Sequence, residues 1–131
     1  MYCDRPELEP FRCEVEPGRD AVRVRPIGEL DLATVPLVEA QLAELWSVGF
    51  TRIVLDLSRV SFMDSTGVRL LLAWHAHSAA GGMLFGVISG PPAVQRVLEV
   101  AGLVDYFTYC SPNGFQAPRV RRDEAAARAG S

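Results

Sequence analysis

The residues best placed to do chemistry lie in Phe62-Met63-Asp64-Ser65-Thr66-Gly67, where a carboxylate is followed by two hydroxyls and a glycine. Asp and Ser are favoured helix N-caps, so either side chain could simply cap a following helix. A serine at a helix start is also a plausible modification point. Phosphorylation adds a charge of about −1.5 to −2, and a helix end offers unpaired N–H donors and the positive end of a dipole. A second segment, Gly28-Glu29-Leu30-Asp31, sets two carboxylates ahead of another predicted helix. It reads as a turn whose acids suit the dipole, or as a contact surface. Both segments are expected to follow parallel strands and so to emerge on one sheet edge, where they would form one acidic, hydroxyl-bearing patch.

Other chemistries fit less well. A nucleophilic Ser65 would need a base, and the chain has only two histidines, His75 and His77. Both fall inside the predicted second helix, with His75 about 15 Å beyond Ser65 along an ideal rise. Their i, i+2 spacing directs them to different sides, unlike the i, i+4 pair of a helical zinc motif. They read as packed or solvent-facing, and no enzyme, metal or cofactor is expected. Cys3, Cys13 and Cys110 are odd in number and lack C-x-x-C pairing, which suggests a reducing compartment. A net charge of −3 argues against nucleic acid and for a protein partner or small ligand. Met1 to Pro6 does not start as a secretory signal, and no apolar run reaches the ~18 residues of a membrane span. A cytoplasmic location away from the membrane is therefore expected.

The elements that must position these residues form one domain, since 131 residues with 49% hydrophobic content suit a single core. Residues 1–10 read as an N-terminal extension. Phe11 to Val15 alternates as a strand, Pro17-Gly18-Arg19-Asp20 turns, and Ala21 to Gly28 completes a hairpin in which Pro26 must find a place without a ladder donor. Thr34 is the expected N-cap of a helix with Pro36 in its first turn, a stripe of Val35, Val38, Leu42 and Leu45, and Gly49 as its stop. Ile53 to Leu57 reads as a buried central strand. A second helix runs from Ser65 to Gly81-Gly82, and Met83 to Ile88 forms another strand. A third helix starts at Gly90-Pro91-Pro92 with Val94, Val97, Leu98 and Ala101 inward, and stops at Gly102. Tyr106 to Tyr109 could add a short edge strand. The class is α/β, with a mixed sheet of four to five strands flanked by helices over residues 11–112. Residues 113–131, rich in Pro, Arg, Ala and Gly from Gln116, are expected to be a disordered tail. Its Arg119, Arg121, Arg122 and Arg128 would be a solvated extension or a weak docking arm.

Gly28-Glu29-Leu30-Asp31, Phe62-Met63-Asp64-Ser65-Thr66-Gly67, and Pro92-Ala93-Val94-Gln95-Arg96-Val97-Leu98-Glu99 with Gly102-Leu103 together resemble the anti-sigma factor antagonists of the STAS domain family. The resemblance implies a non-enzymatic switch. A serine kinase that doubles as an anti-sigma factor would phosphorylate Ser65, the unmodified form would bind that kinase and release a sigma factor, and a serine phosphatase would reset the cycle. It also implies a partner surface of Asp31, Asp64, Ser65, Thr66 and Gly67. Pro26 and Thr66 depart from the usual pattern, and Thr66 leaves a second hydroxyl as an alternative acceptor. The other use of such a domain is as a module of a stress-signalling scaffold, or as a binder of nucleotide or lipid.

Overall fold

The hairpin sets the frame of the sheet. In the computed structural model, which describes residues 10–18 and 21–111, β1 (Arg12–Pro17) pairs antiparallel with β2 (Val22–Leu30). The expected extension and tail, and Arg19 and Asp20 of the turn, lie outside the described residues. The chain continues through α1 (Val35–Ser47), β3 (Arg52–Asp56), β4 (Val60–Met63), α2 (Ser65–Ala79), β5 (Leu84–Ile88) and α3 (Pro92–Val100). β2, β3 and β5 are parallel neighbours, and β4 pairs parallel with the far end of β2. The sheet is thus mixed and five-stranded, as expected, but β4 takes residues read from sequence as loop.

Pro26 sits in the middle of β2 without costing a ladder bond. The Ala21 carbonyl accepts from Gly18 on the β1 side, and the Gly28 N–H donates to the Arg59 carbonyl on the other. Alternation along the strand therefore turns the nitrogen of residue 26 away from β1. On that side β3 pairs only as far as Val24, and β4 begins at Gly28. The proline occupies the gap between the two ladders, which is where a missing N–H is harmless.

Alternate residues of the strands build one face of the core. Val22, Val24, Ile53, Leu55, Phe85 and Val87 cluster with Val38 and Leu42 of α1, Val68 and Leu71 of α2, and Val94 and Leu98 of α3. Of the expected inward residues, Val35 and Val97 are partly buried against this cluster, whereas Ala101 is exposed because the helix ends before it. The opposite face carries a smaller cluster of Ala21, Val54, Ile88 and Cys110. Next to it lies a charged network. Asp56 is 1% exposed and accepts from Arg25 Nε at 3.0 Å and from the Ser58 N–H at 2.9 Å, with Arg23 at 3.6 Å. Glu14 and Glu16 hold the two arginines from β1. A buried carboxylate needs such partners, because desolvation without them is expensive. The expected strand at Tyr106 to Tyr109 reduces to one bridge, Tyr109 to Val87.

Candidate functional site

The two acidic segments come together because their strands are neighbours. Leu30 pairs with Met63 at the carboxyl ends of β2 and β4, and the Asp64 N–H donates to the Leu30 carbonyl at 3.4 Å. Asp31 and Asp64 thus leave the sheet side by side, each opening the approach to a helix. The expected shared edge is formed. It depends on β4 and on the register shift between Gly28 and Glu29, neither of which was read from the sequence.

At α2 the cap is Asp64. Its Oδ1 accepts from the Thr66 N–H at 2.9 Å and from the Thr66 hydroxyl. These bonds, the hydroxyl's first among them, hold its carboxyl below the ordinary carboxylate range, since donors aimed at a carboxylate favour its charged form. The next two N–H groups, of Gly67 and Val68, turn back to the Asp64 carbonyl at 3.0 and 3.2 Å. A phosphate at Ser65 would therefore not find the helix start open, contrary to expectation: an anion already occupies it. Ser65 itself is exposed. Its hydroxyl makes no hydrogen bond to another described residue, while that of Thr66 is committed to Asp64. Gly67 is buried. A Cβ there would fall 2.5 Å from Met63 Cγ and 3.0 Å from its Sδ, so the glycine lets the first turn of α2 settle on β4 and is not part of the open surface.

At α1 the N-cap is Thr34, as expected, its carbonyl accepting from the Leu37 and Val38 N–H groups at 2.9 and 3.3 Å, and an aspartate orders the turn just before it. Asp31 Oδ1 accepts from the Ala33 and Thr34 N–H groups at 3.0 and 3.2 Å, and the Asp31 N–H donates to Thr34 Oγ1 at 3.0 Å. The Thr34 hydroxyl donates to the Glu29 carbonyl at 2.6 Å, and no side-chain bond runs from Thr34 into the helix. Asp31 is thus a structural carboxylate as well as a partly exposed one. Apolar side chains stand open beside the two caps: Leu32 is 75% exposed and Phe62 49%. Their type and position next to the two aspartates were the available signal, and the sequence reading passed over them.

The histidines are partly buried against aromatic rings. His77 stacks on Trp74 and meets the edge of Trp46, while His75 sits against Tyr106 and Phe107. No group of three or more potential metal ligands occurs among the described residues. Among them, too, no helix is long and apolar enough to cross a membrane.

A family profile described as Mlab, STAS domain, matches residues 13–108. The chain belongs to the STAS domain family. This STAS chain is 34% identical over 94 residues to the anti-sigma F factor antagonist of Paenibacillus polymyxa, covering 71% of this chain and 80% of that protein. It is 32% identical over 76 residues to the Mycobacterium tuberculosis anti-sigma-F factor antagonist RsfB, covering 58% of this chain and 62% of the relative, so the match spans less than two thirds of that protein. Among solved structures, the anti-sigma factor antagonist SpoIIAA in its unphosphorylated form superposes with a TM-score of 0.63 at 26% identity, over 92% of this STAS chain and 97% of the other. The phosphorylated form of SpoIIAA, from Bacillus, superposes with a TM-score of 0.58 at 26% identity, over 92% and 99%. The mixed sheet with three helices is thus the fold of these proteins.

Proposed function

We propose that this chain is an anti-sigma factor antagonist, a binding protein and not an enzyme, working in the cytoplasm and switched by phosphorylation of Ser65. The unmodified form binds a serine-kinase anti-sigma factor through the edge formed by Asp31, Asp64, Ser65 and Thr66, with buried Gly67 seating the turn beneath it, and the sigma factor is released. The observation that carries this reading is the division of labour at α2: Asp64 engages Thr66 and leaves the Ser65 hydroxyl exposed and uncommitted. The names of the similar proteins and the existence of SpoIIAA in two phosphorylation states support it.

In the modification, Ser65 Oγ attacks the γ-phosphorus of ATP. The new O–P bond forms as the bond to the β-phosphate oxygen breaks, ADP leaves, and the hydroxyl proton passes to a base of the kinase. A serine phosphatase resets the switch when water displaces the serine oxygen at phosphorus and inorganic phosphate departs. Phosphorylation acts on binding because the dianion lies beside Asp64 and close to Asp31, so a partner fitted to the neutral hydroxyl must strip its water against like charge. The test is calorimetric titration of unmodified and Ser65-phosphorylated protein against the kinase at fixed nucleotide. Affinity should fall by about 2 kcal/mol or more, roughly thirtyfold. Equal affinities for the two forms would overturn the switch.

A further inference from the structure

We propose that Arg69 is the internal counter-ion of phospho-Ser65, so that the phosphorylated chain binds its own phosphate. The inference rests on the reading of Ser65 as the modified residue, and it concerns what the fold does with the charge.

Three observations lead to it. First, three of the N–H groups at the start of α2 are already engaged, because the Asp64 carboxylate holds that of Thr66 and the Asp64 carbonyl takes those of Gly67 and Val68. A dianion added at Ser65 would meet a neighbouring carboxylate and, across the strand ends, Asp31. Second, Arg69 is the only arginine or lysine in α2 and stands four residues after Ser65, one turn further along the same face. Side chains on a helix lean towards its N-terminus, so the long arm of residue 69 lies over the turn that carries residue 65. An acid placed N-terminal to a base at i, i+4 is also the favoured order. Third, Arg69 is exposed and makes no ion pair or side-chain hydrogen bond with any described residue. Two arginines of β2 are, by contrast, already engaged: Arg23 with Glu16 and Asp56, and Arg25 with Glu14 and Asp56. Arg69 is therefore free to swing onto a phosphate without breaking anything, and its planar fork suits phosphate oxygens.

The pairing gives the modified state a local stabilisation that the helix start does not supply. It also lowers the second pKa of the phosphate, ordinarily near 6, because a nearby cation favours the dianion. The test installs phosphoserine at position 65 during translation, so that no kinase is needed, and follows the phosphate by phosphorus-31 NMR as pH is varied. The second pKa should be lower in the native sequence than in Arg69→Ala by roughly 0.3 pH unit or more, the size of an i, i+4 ion pair strengthened by a second phosphate charge. Arg69→Lys should keep most of the difference, and ~1 M salt should remove it. Identical phosphate pKa values in the native sequence and Arg69→Ala would overturn the proposal. Since the phosphate is placed without a kinase, that result would leave the kinase titration standing, and a failed titration would leave this pairing standing.

Discussion

The starts of α1 and α2 are built alike and end differently. Each follows one of two paired strand ends, and each has an aspartate that accepts from nearby N–H groups, Asp64 from Thr66 in the first turn of α2 and Asp31 from Ala33 and Thr34 in the turn just before α1. In Asp31-Leu32-Ala33-Thr34 the one hydroxyl, that of Thr34, is spent on the Glu29 carbonyl, and the residue directly after the aspartate is an exposed leucine. In Asp64-Ser65-Thr66 the second hydroxyl takes the structural work, and the first is left exposed with nothing to hold. An aspartate accepting from backbone N–H groups thus gives a closed turn before α1 and a turn with a spare hydroxyl at α2. What separates a support from the proposed modification site is one uncommitted hydroxyl, not the aspartate.

The largest effect is expected where the two starts are packed together. Gly67→Val forces a side chain into the space of Met63, and overpacking of this kind costs about 2 to 3 kcal/mol. A denaturant midpoint unchanged by the substitution would show that α2 is not seated on β4 as described. Next comes Asp31→Ala, which removes the side-chain acceptor of the turn leading into α1. About 1 kcal/mol should be lost, or roughly 5 °C in melting temperature for a domain of this size. This revises the idea of Asp31 as a purely surface contact, which would leave melting nearly unchanged, and binding data on Asp31 variants must be read beside their stability.

Asp64→Ala should also lower the melting temperature, with a pH dependence that identifies the carboxylate. Its carboxyl lies below the ordinary value of 3.8 in the folded chain, so the unfolded chain takes up the proton first as pH drops. The stabilisation is therefore complete well above pH 3.8 and is lost as acid carries the folded group through its own lower pKa. Melting curves of the native chain and Asp64→Ala should converge in acid and separate near neutrality; a constant gap would mean the charge of Asp64 does not matter to the cap. The smallest effect belongs to Leu32→Ser, which gives α1 the Asp-Ser order found at α2. As an exposed change it should alter stability by no more than ~0.5 kcal/mol, which thermal melting can check.

Much of this was legible in the sequence, because helices declare themselves by periodicity and stops. Gly49 and Gly102 end α1 and α3 with positive φ, as expected of left-handed residues. Asp64 and Ser65 could be placed at a helix start from residue type alone. What escaped notice depends on partners distant in sequence. β4 is four residues long with two exposed in its middle, too short for a periodic signal, and it exists because β2 outruns β3. Asp56 is held in an apolar strand by Arg23 and Arg25, which only the pairing of β2 with β3 brings to it. Thr34 is the N-cap of α1, as its type suggests, but its side chain makes no bond into the helix, since the hydroxyl has its acceptor in the preceding strand.

The central claim is that the cap geometry singles out one of two adjacent hydroxyls. Its most direct measurement is phosphopeptide mapping of the native chain after incubation with the proposed serine-kinase anti-sigma factor and ATP. Phosphate should appear on Ser65 and not on Thr66, and Ser65→Ala should abolish labelling while the protein still binds the kinase. Phosphate on Thr66 of the native chain, or labelling that survives in Ser65→Ala, would contradict the account.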